Sequence, residues 1–210
     1  MYKHLFFDFN GTLINDLDLC LELLNLFLKE QGKKELSKDE YKMVFKFPIK
    51  QYYIDSGIDF NIESYESLSI RFIKAYQPRS MECGLFEGTK ETLEKLKKLG
   101  YELYVLSASE KNNLLEQTNH YDITKYFNAV LGIDNIHAAS KVDIAKEYMK
   151  KNNINPKEAL FIGDTLHDFE VSKAMGVDCA LVSCGHQAKS ILEKANVRII
   201  SSIKDIFSLL

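Results

Sequence analysis

The chain has 210 residues, 46% of them hydrophobic and 27% charged, with a net charge of −3. That length buries a core needing no staples, and the charge excludes the broad basic face a nucleic-acid partner would need. With no apolar run of spanning length and no basic leader, the expectation is a cytoplasmic protein with no membrane partner. Cys20, Cys83, Cys179 and Cys184 form no CxxC pair and have no histidine at zinc spacing, so they read as reduced thiols.

The first organised stretch is a short apolar run, Leu5 to Phe7, stopped by Asp8, Asn10 and Gly11, which predicts a buried strand ending in a tight loop. Asp16 to Gln31 carries leucines and Phe27 at helical spacing and stops at Gly32. Ser37 and Glu40 make a capping box for a second helix, reaching about Phe45. Pro48 suits the first turn of a third helix that ends near Gly57. Asn61 to Tyr76 predicts a fourth, broken by Pro78. No strand pattern falls between Asp16 and Arg79, so residues 16–79 read as an all-helical insertion.

Beyond it the texture alternates. Thr89 to Leu99 is a helix with Leu93, Leu96 and Leu99 on one face, and Tyr101 to Leu106 a strand ending at Ser107. A helix over Glu110 to Asn119, a strand at Ala129 to Ile133 and a helix from Lys141 to about Lys151 follow. A strand at Ala159 to Ile162 ends in Gly163 and Asp164; a helix from about Asp168 to Met175 and a strand at Val177 to Val182 come next. The tail carries a helix, a short strand at Val197 to Ile200 and a terminal helix. Such alternation predicts βαβ units: an α/β fold with a Rossmann-like, doubly wound parallel sheet core, formed by residues 1–15 and 80–210, and an inserted all-helical cap domain.

In a sheet of this kind, ligands bind where loops leave the carboxyl ends of the strands. Asp8 and Asn10, Ser107, Lys141, and Asp164 with Asp168 all fall at such ends, and together they make one candidate site. Taken singly, Asp8 also suits a turn and Ser107 the approach to a helix. His137, His167 and His186 stand on loops at the same mouth and read as incidental neighbours.

The pattern resembles the haloacid dehalogenase-like hydrolase superfamily. Its motifs are an apolar strand ending DxDGT, a second strand ending in Ser or Thr, a Lys, and GDxxxD. Here they stand as FFDFNGTL, YVLSAS, the Lys141 of AASK, and FIGDTLHD. The helical insertion and the stretch FEGTKETLEKLKKLGYEL are similar to the phosphoglycolate phosphatase and β-phosphoglucomutase branch. The resemblance implies a phosphatase of small phosphorylated metabolites in which Asp8 attacks phosphorus to form an aspartyl-phosphate. It implies Mg²⁺ held by Asp8, the backbone carbonyl of Asn10, Asp164 and Asp168. Ser107, Lys141 and backbone N–H groups near Gly11 and Ala108 would bind the phosphoryl oxygens. Lys46 and Lys50, flanking Phe47 and Pro48 in the insertion, would meet a second anionic group on the substrate, such as a carboxylate. A monomer or weak homodimer is expected.

One position departs from the pattern. Asn10 stands where the phosphatases of this branch have their acid/base aspartate, and a carboxamide neither gives nor takes that proton. Losing a general acid/base costs roughly 10²- to 10⁴-fold in rate. Three readings stay open: a phosphatase slow on alkyl esters but competent where the leaving group needs no proton, or one using another group such as His167; a protein that binds phosphorylated ligands with little turnover; and an enzyme trapped by an Asp-to-Asn replacement.

Overall fold

The computed structural model describes residues 1–133 and 140–210. Among them, the apolar runs pair into one six-stranded parallel sheet in the order β3-β2-β1-β4-β5-β6. The strands are β1 (His4–Phe7), β2 (Glu102–Glu110), β3 (Ala129–Ile133), β4 (Ala159–Gly163), β5 (Asp178–Val182) and β6 (Arg198–Ile200). Side chains alternate across a strand, so both faces of a covered sheet must be apolar. Leu5 and Phe7 join Leu103, Val105, Leu160 and Ile162 on one face, beneath helices α5 (Thr89–Lys98) and α6 (Lys111–His120). Phe6, Tyr104, Leu106 and Phe161 face the other way, against α7 (Lys141–Lys151) and α8 (Leu166–Met175). The short α9 (Lys189–Leu192) packs beside β5, where Leu192 meets Leu181. Strand order reverses between β1 and β4, and the site lies at that switch point.

Between β1 and α5 the chain forms α1 (Leu17–Glu30), α2 (Lys38–Val44), α3 (Ile49–Ser56) and α4 (Tyr65–Ser80). These helices bury a cluster of their own, with Leu24, Phe27, Tyr41, Tyr53 and Leu68 at its centre. The Ser37–Glu40 capping box opens α2 as expected.

The expectations need correction in several places. Pro78 does not break the fourth helix but lies inside α4, which starts at Tyr65 rather than Asn61; Ser64 caps that start by accepting from the Ser67 N–H. Pro48 is the residue before α3 rather than in its first turn. β2 does not stop at Ser107 but continues to Glu110 with an irregular register after Leu106, so α6 starts one residue later. Leu99 is 59% exposed, whereas Leu93 and Leu96 are fully buried. Three-residue steps fall short of a full helical turn, so after two of them the side chain has rotated off the buried face. The terminal helix is a 3₁₀ segment, Ile203–Ser208.

Removing a packed side chain leaves a cavity, whereas trimming an exposed one does not. Leu96→Ala should therefore lower the unfolding free energy by about 2–5 kcal/mol, and Leu99→Ala by less than about 0.5 kcal/mol, as measured by urea titration.

Candidate active site

Register places the site. Phe7 pairs with Val105 on one side and with Ile162 on the other, so Asp8 emerges beside the end of β4 and where β2 turns irregular after Leu106. Its N–H donates to the Ile162 carbonyl at 2.8 Å. Lys141 is the first residue of α7, after Ser140, whose hydroxyl accepts from the Asp143 N–H. From there Nζ donates to Asp8 Oδ1 at 2.5 Å and to Asp168 Oδ1 at 2.7 Å, with the side chain 4% exposed. Asp168 is held in turn by the start of α8, where Oδ2 accepts from Thr165 Oγ1 and from the N–H groups of Asp164 and Thr165. Asp164 accepts from Thr12 Oγ1 at 3.2 Å and from the His186 N–H at 2.6 Å. Gly11, at φ +72°, passes so close to Asp164 and His186 that a Cβ there would collide with both.

One carboxylate oxygen from each of Asp8, Asp164 and Asp168 lies within 4.8 Å of the others. Hard oxygens at this spacing could hold a divalent cation. The electrostatics also fit one. Burial, helped by the charges of Asp168 and Asp164 and opposed by Lys141, leaves the Asp8 carboxyl pushed up to about 8. Burial likewise raises Asp164 to about 7. Burial works against Asp168 too, but Lys141 and Thr165 hold it below the ordinary carboxylate range. Lys141 alone does not offset the charge of three buried carboxylates, and a divalent ion would.

These groups line a cavity of about 430 Å³ that also takes in Asn10, Ser107, Ala108 and His167. Asp8, Asn10, Ser107, Ala108, Lys141, Asp164 and Asp168 are thus brought together as expected positions of one site. Gly11 is not among the lining residues: its N–H is taken by Asp16 Oδ1 at 2.9 Å, which removes it as a phosphate donor. Lys46 pairs with Asp55, and Lys50 sits over the rings of Phe60 and Tyr65, so neither cap lysine lines the cavity. His167 does line it, stacked on Phe47 at 4.4 Å between ring centroids. His137 lies outside the described residues.

His186 is not incidental. It is 3% exposed, its Nε2 donates to Asp16 Oδ1 at 3.2 Å, its Nδ1 lies 2.8 Å from the Tyr41 hydroxyl, and its ring stacks on Phe45. Asp16 precedes α1 yet makes no capping bond; its Oδ2 accepts from Tyr76 at 2.7 Å and from Asn10 Nδ2 at 2.8 Å. Asn10 Nδ2 also donates to the Tyr76 hydroxyl, and Asn10 Oδ1 accepts from Ser109. His186 was placed at the mouth from sequence but read as incidental, and Asp16, Tyr41 and Tyr76 were not among the site residues read there. Asp16 before an apolar helix looks like a cap, which hides its other use, and the remaining three come from distant elements.

Burial would lower the His186 imidazolium, but the carboxylate of Asp16 outweighs it and raises the group to about 8 from its ordinary 6.5. Burial pushes Asp16 up, and His186, Asn10 and Tyr76 together bring it below its ordinary value. A raised histidine stabilises the fold fully below about 6.5 and loses that contribution as pH rises through about 8. In chelator-treated protein, the thermal midpoint of His186→Gln should therefore trail the parent most at mildly acidic pH, and the gap should narrow above about 8.

The family model described as haloacid dehalogenase-like hydrolase matches residues 5–182. Phosphoglycolate phosphatase 1 of Pseudomonas aeruginosa is 27% identical over 146 residues, covering 69% of this chain and 54% of that protein, so the match spans about half of that relative. Pyrophosphatase PpaX of Bacillus cereus is 24% identical over 200 residues, covering 89% of this chain and 86% of that protein. A haloacid dehalogenase-like hydrolase structure from Streptococcus pneumoniae superposes with a TM-score of 0.83 at 19% identity, covering 99% of this chain and 98% of that one. The family model runs from β1 through β5 and so takes in Asp8, Ser107, Lys141 and Asp164: the chain belongs to the haloacid dehalogenase-like hydrolases.

Proposed function

We propose that this hydrolase cleaves small phosphate monoesters through an aspartyl-phosphate on Asp8, with Mg²⁺ as cofactor, and that it is slow on alkyl esters. The observation that carries the reading is the buried Lys141 ammonium between Asp8 and Asp168, which aims a carboxylate oxygen into the cavity beside Asp164. The names of the similar phosphoglycolate phosphatase and pyrophosphatase support the same reaction class. Residues 16–79 serve as the cap and 1–15 with 80–210 as the core, with the second boundary in the last turn of α4.

Asp8, Asp164 and the Asn10 carbonyl would hold Mg²⁺, which supplies the positive charge an approaching phosphate needs beside carboxylates. Asp168 acts through Lys141 and the α8 turn, because its oxygens already accept from Lys141, Thr165 and the Asp164 N–H. Asp8 attacks phosphorus, and the bond to the leaving oxygen breaks with its electron pair. Lys141 neutralises the phosphoryl oxygens, while Ser107 and the Ala108 N–H orient them. Asn10 cannot protonate the leaving group or activate water for the second step. Both steps then run on positioning and electrostatics alone, and the phosphoenzyme persists.

Asn10 also belongs to its surroundings. An ionised Asp16 only accepts hydrogen bonds, so the amide nitrogen of Asn10 must face it. A carboxylate at that position would meet Asp16 as a like charge. This matched donor and acceptor favours slow turnover over an isolated lesion.

Protein mixed with acetyl phosphate and Mg²⁺ and quenched in acid should carry one added phosphoryl group on the peptide containing Asp8. Mass spectrometry should find none in Asp8→Asn or after chelation, and a label surviving in Asp8→Asn would overturn the reading. Asn10→Asp alone should lose about 1–3 kcal/mol of stability through its clash with Asp16. Adding Asp16→Asn should restore the hydrogen bond and raise turnover of alkyl phosphates by roughly 10²-fold or more over the parent.

A further inference from the structure

We infer that the preferred substrates are small aryl phosphates, esters of a phenolic rather than an aliphatic hydroxyl, an inference that rests on the aspartyl-phosphate reading above. Two independent features of the cavity point there.

The first is its wall. Opposite Asp8 the insertion contributes Phe45, Phe47, Ile49, Tyr52, Phe72 and Ile73 to the lining. Among the described residues, the only lysine or arginine lining the cavity is Lys141, already engaged by Asp8 and Asp168. Lys46 and Lys50, the side chains that would have met a carboxylate, are paired with Asp55 and with the Phe60 and Tyr65 rings instead. A carboxylate-bearing leaving group would find no free lysine or arginine among the described residues of this wall, only hydroxyls and the rings of His167 and His186, the latter already donating to Asp16. A flat apolar ring would meet stacking and edge contacts.

The second is Asn10. A carboxamide at Asn10 offers no proton where the branch has its acid, so the site favours a leaving group stable as its anion. A phenol, with a pKa of about 10 like tyrosine, meets that condition. An aliphatic alcohol, close to water at about 16, does not. Tyr76 is no substitute donor, since its hydroxyl proton is directed to Asp16. In the first step the Asp8 oxygen to phosphorus bond forms and the phosphorus to aryl oxygen bond breaks, its electron pair leaving as phenolate. Water then displaces Asp8 from phosphorus; one of its protons stays on inorganic phosphate and the other reaches the phenolate through solvent. Aryl phosphate and water become phenol and phosphate, and Asp8 is regenerated as carboxylate.

The test is a panel of phenyl phosphate, cyclohexyl phosphate, ethyl phosphate, phosphoglycolate and acetyl phosphate, assayed for phosphate release with Mg²⁺. Acetyl phosphate needs neither a proton donor nor an aromatic wall, so it reports Asp8 chemistry by itself. Phenyl phosphate should exceed cyclohexyl phosphate by roughly 10²-fold or more in kcat/KM, a gap that Asn10→Asp with Asp16→Asn should narrow. Cyclohexyl phosphate should exceed ethyl phosphate, isolating the contribution of the wall. The partly exposed wall residues allow a milder probe: Phe47→Ala and Ile73→Ala should raise KM for phenyl phosphate by roughly tenfold more than KM for acetyl phosphate. Asp8-dependent turnover of acetyl phosphate with phosphoglycolate preferred over phenyl phosphate would overturn the aryl inference and leave the phosphatase reading standing. No Asp8-dependent turnover of any compound, acetyl phosphate included, would remove both.

Discussion

The site depends on the buried ammonium of Lys141. Lys141 joins Asp8, at the end of the central strand, to Asp168, in the first turn of α8, and thereby ties α7 and α8 to the sheet's carboxyl edge. Three buried carboxylates crowd within reach of it, and burial leaves Asp8 and Asp164 raised even so. Removing one partner of such a buried pair costs about 3–5 kcal/mol because it strands a charge. The same shortage of positive charge makes the cluster suited to a divalent ion and a phosphoryl group.

A second network links that edge to the inserted helices. His186 donates its backbone N–H to Asp164, its ring to Asp16, and lies against Tyr41 of α2. Gln187 reaches the Phe45 carbonyl, and the Ala188 N–H donates to the Lys42 carbonyl. Asn10 stands in the middle, donating to Asp16 and Tyr76. Asn10 thus connects the loop after β1 to the inserted helices.

The cap's contribution is aromatic. Phe45, Tyr52 and Tyr53 pack on one another at the cavity's edge, and the nearby lysines are neutralised or laid across rings. Recognition at this wall therefore falls to apolar area rather than charge. An apolar wall and an amide at Asn10 would both favour an aromatic leaving group stable as its anion.

Much of this was legible in the chain itself. Leu5, Phe6 and Phe7 before Asp8, the alternation of apolar runs with amphipathic helices, and the spacing of Ser107, Lys141, Asp164 and Asp168 are local patterns. Strand pairing in a doubly wound sheet then leaves one edge where they can converge. Sequence by itself determined the parallel α/β core, the helical insertion and the acidic centre. Only the tertiary structure decided what Asp16 and His186 do, which way Lys46 and Lys50 turn, and that Gly11 spends its N–H on Asp16. Those outcomes depend on which partner the folded chain brings up to each polar group, and periodicity, a pattern of apolar spacing along the chain, contains no record of that competition.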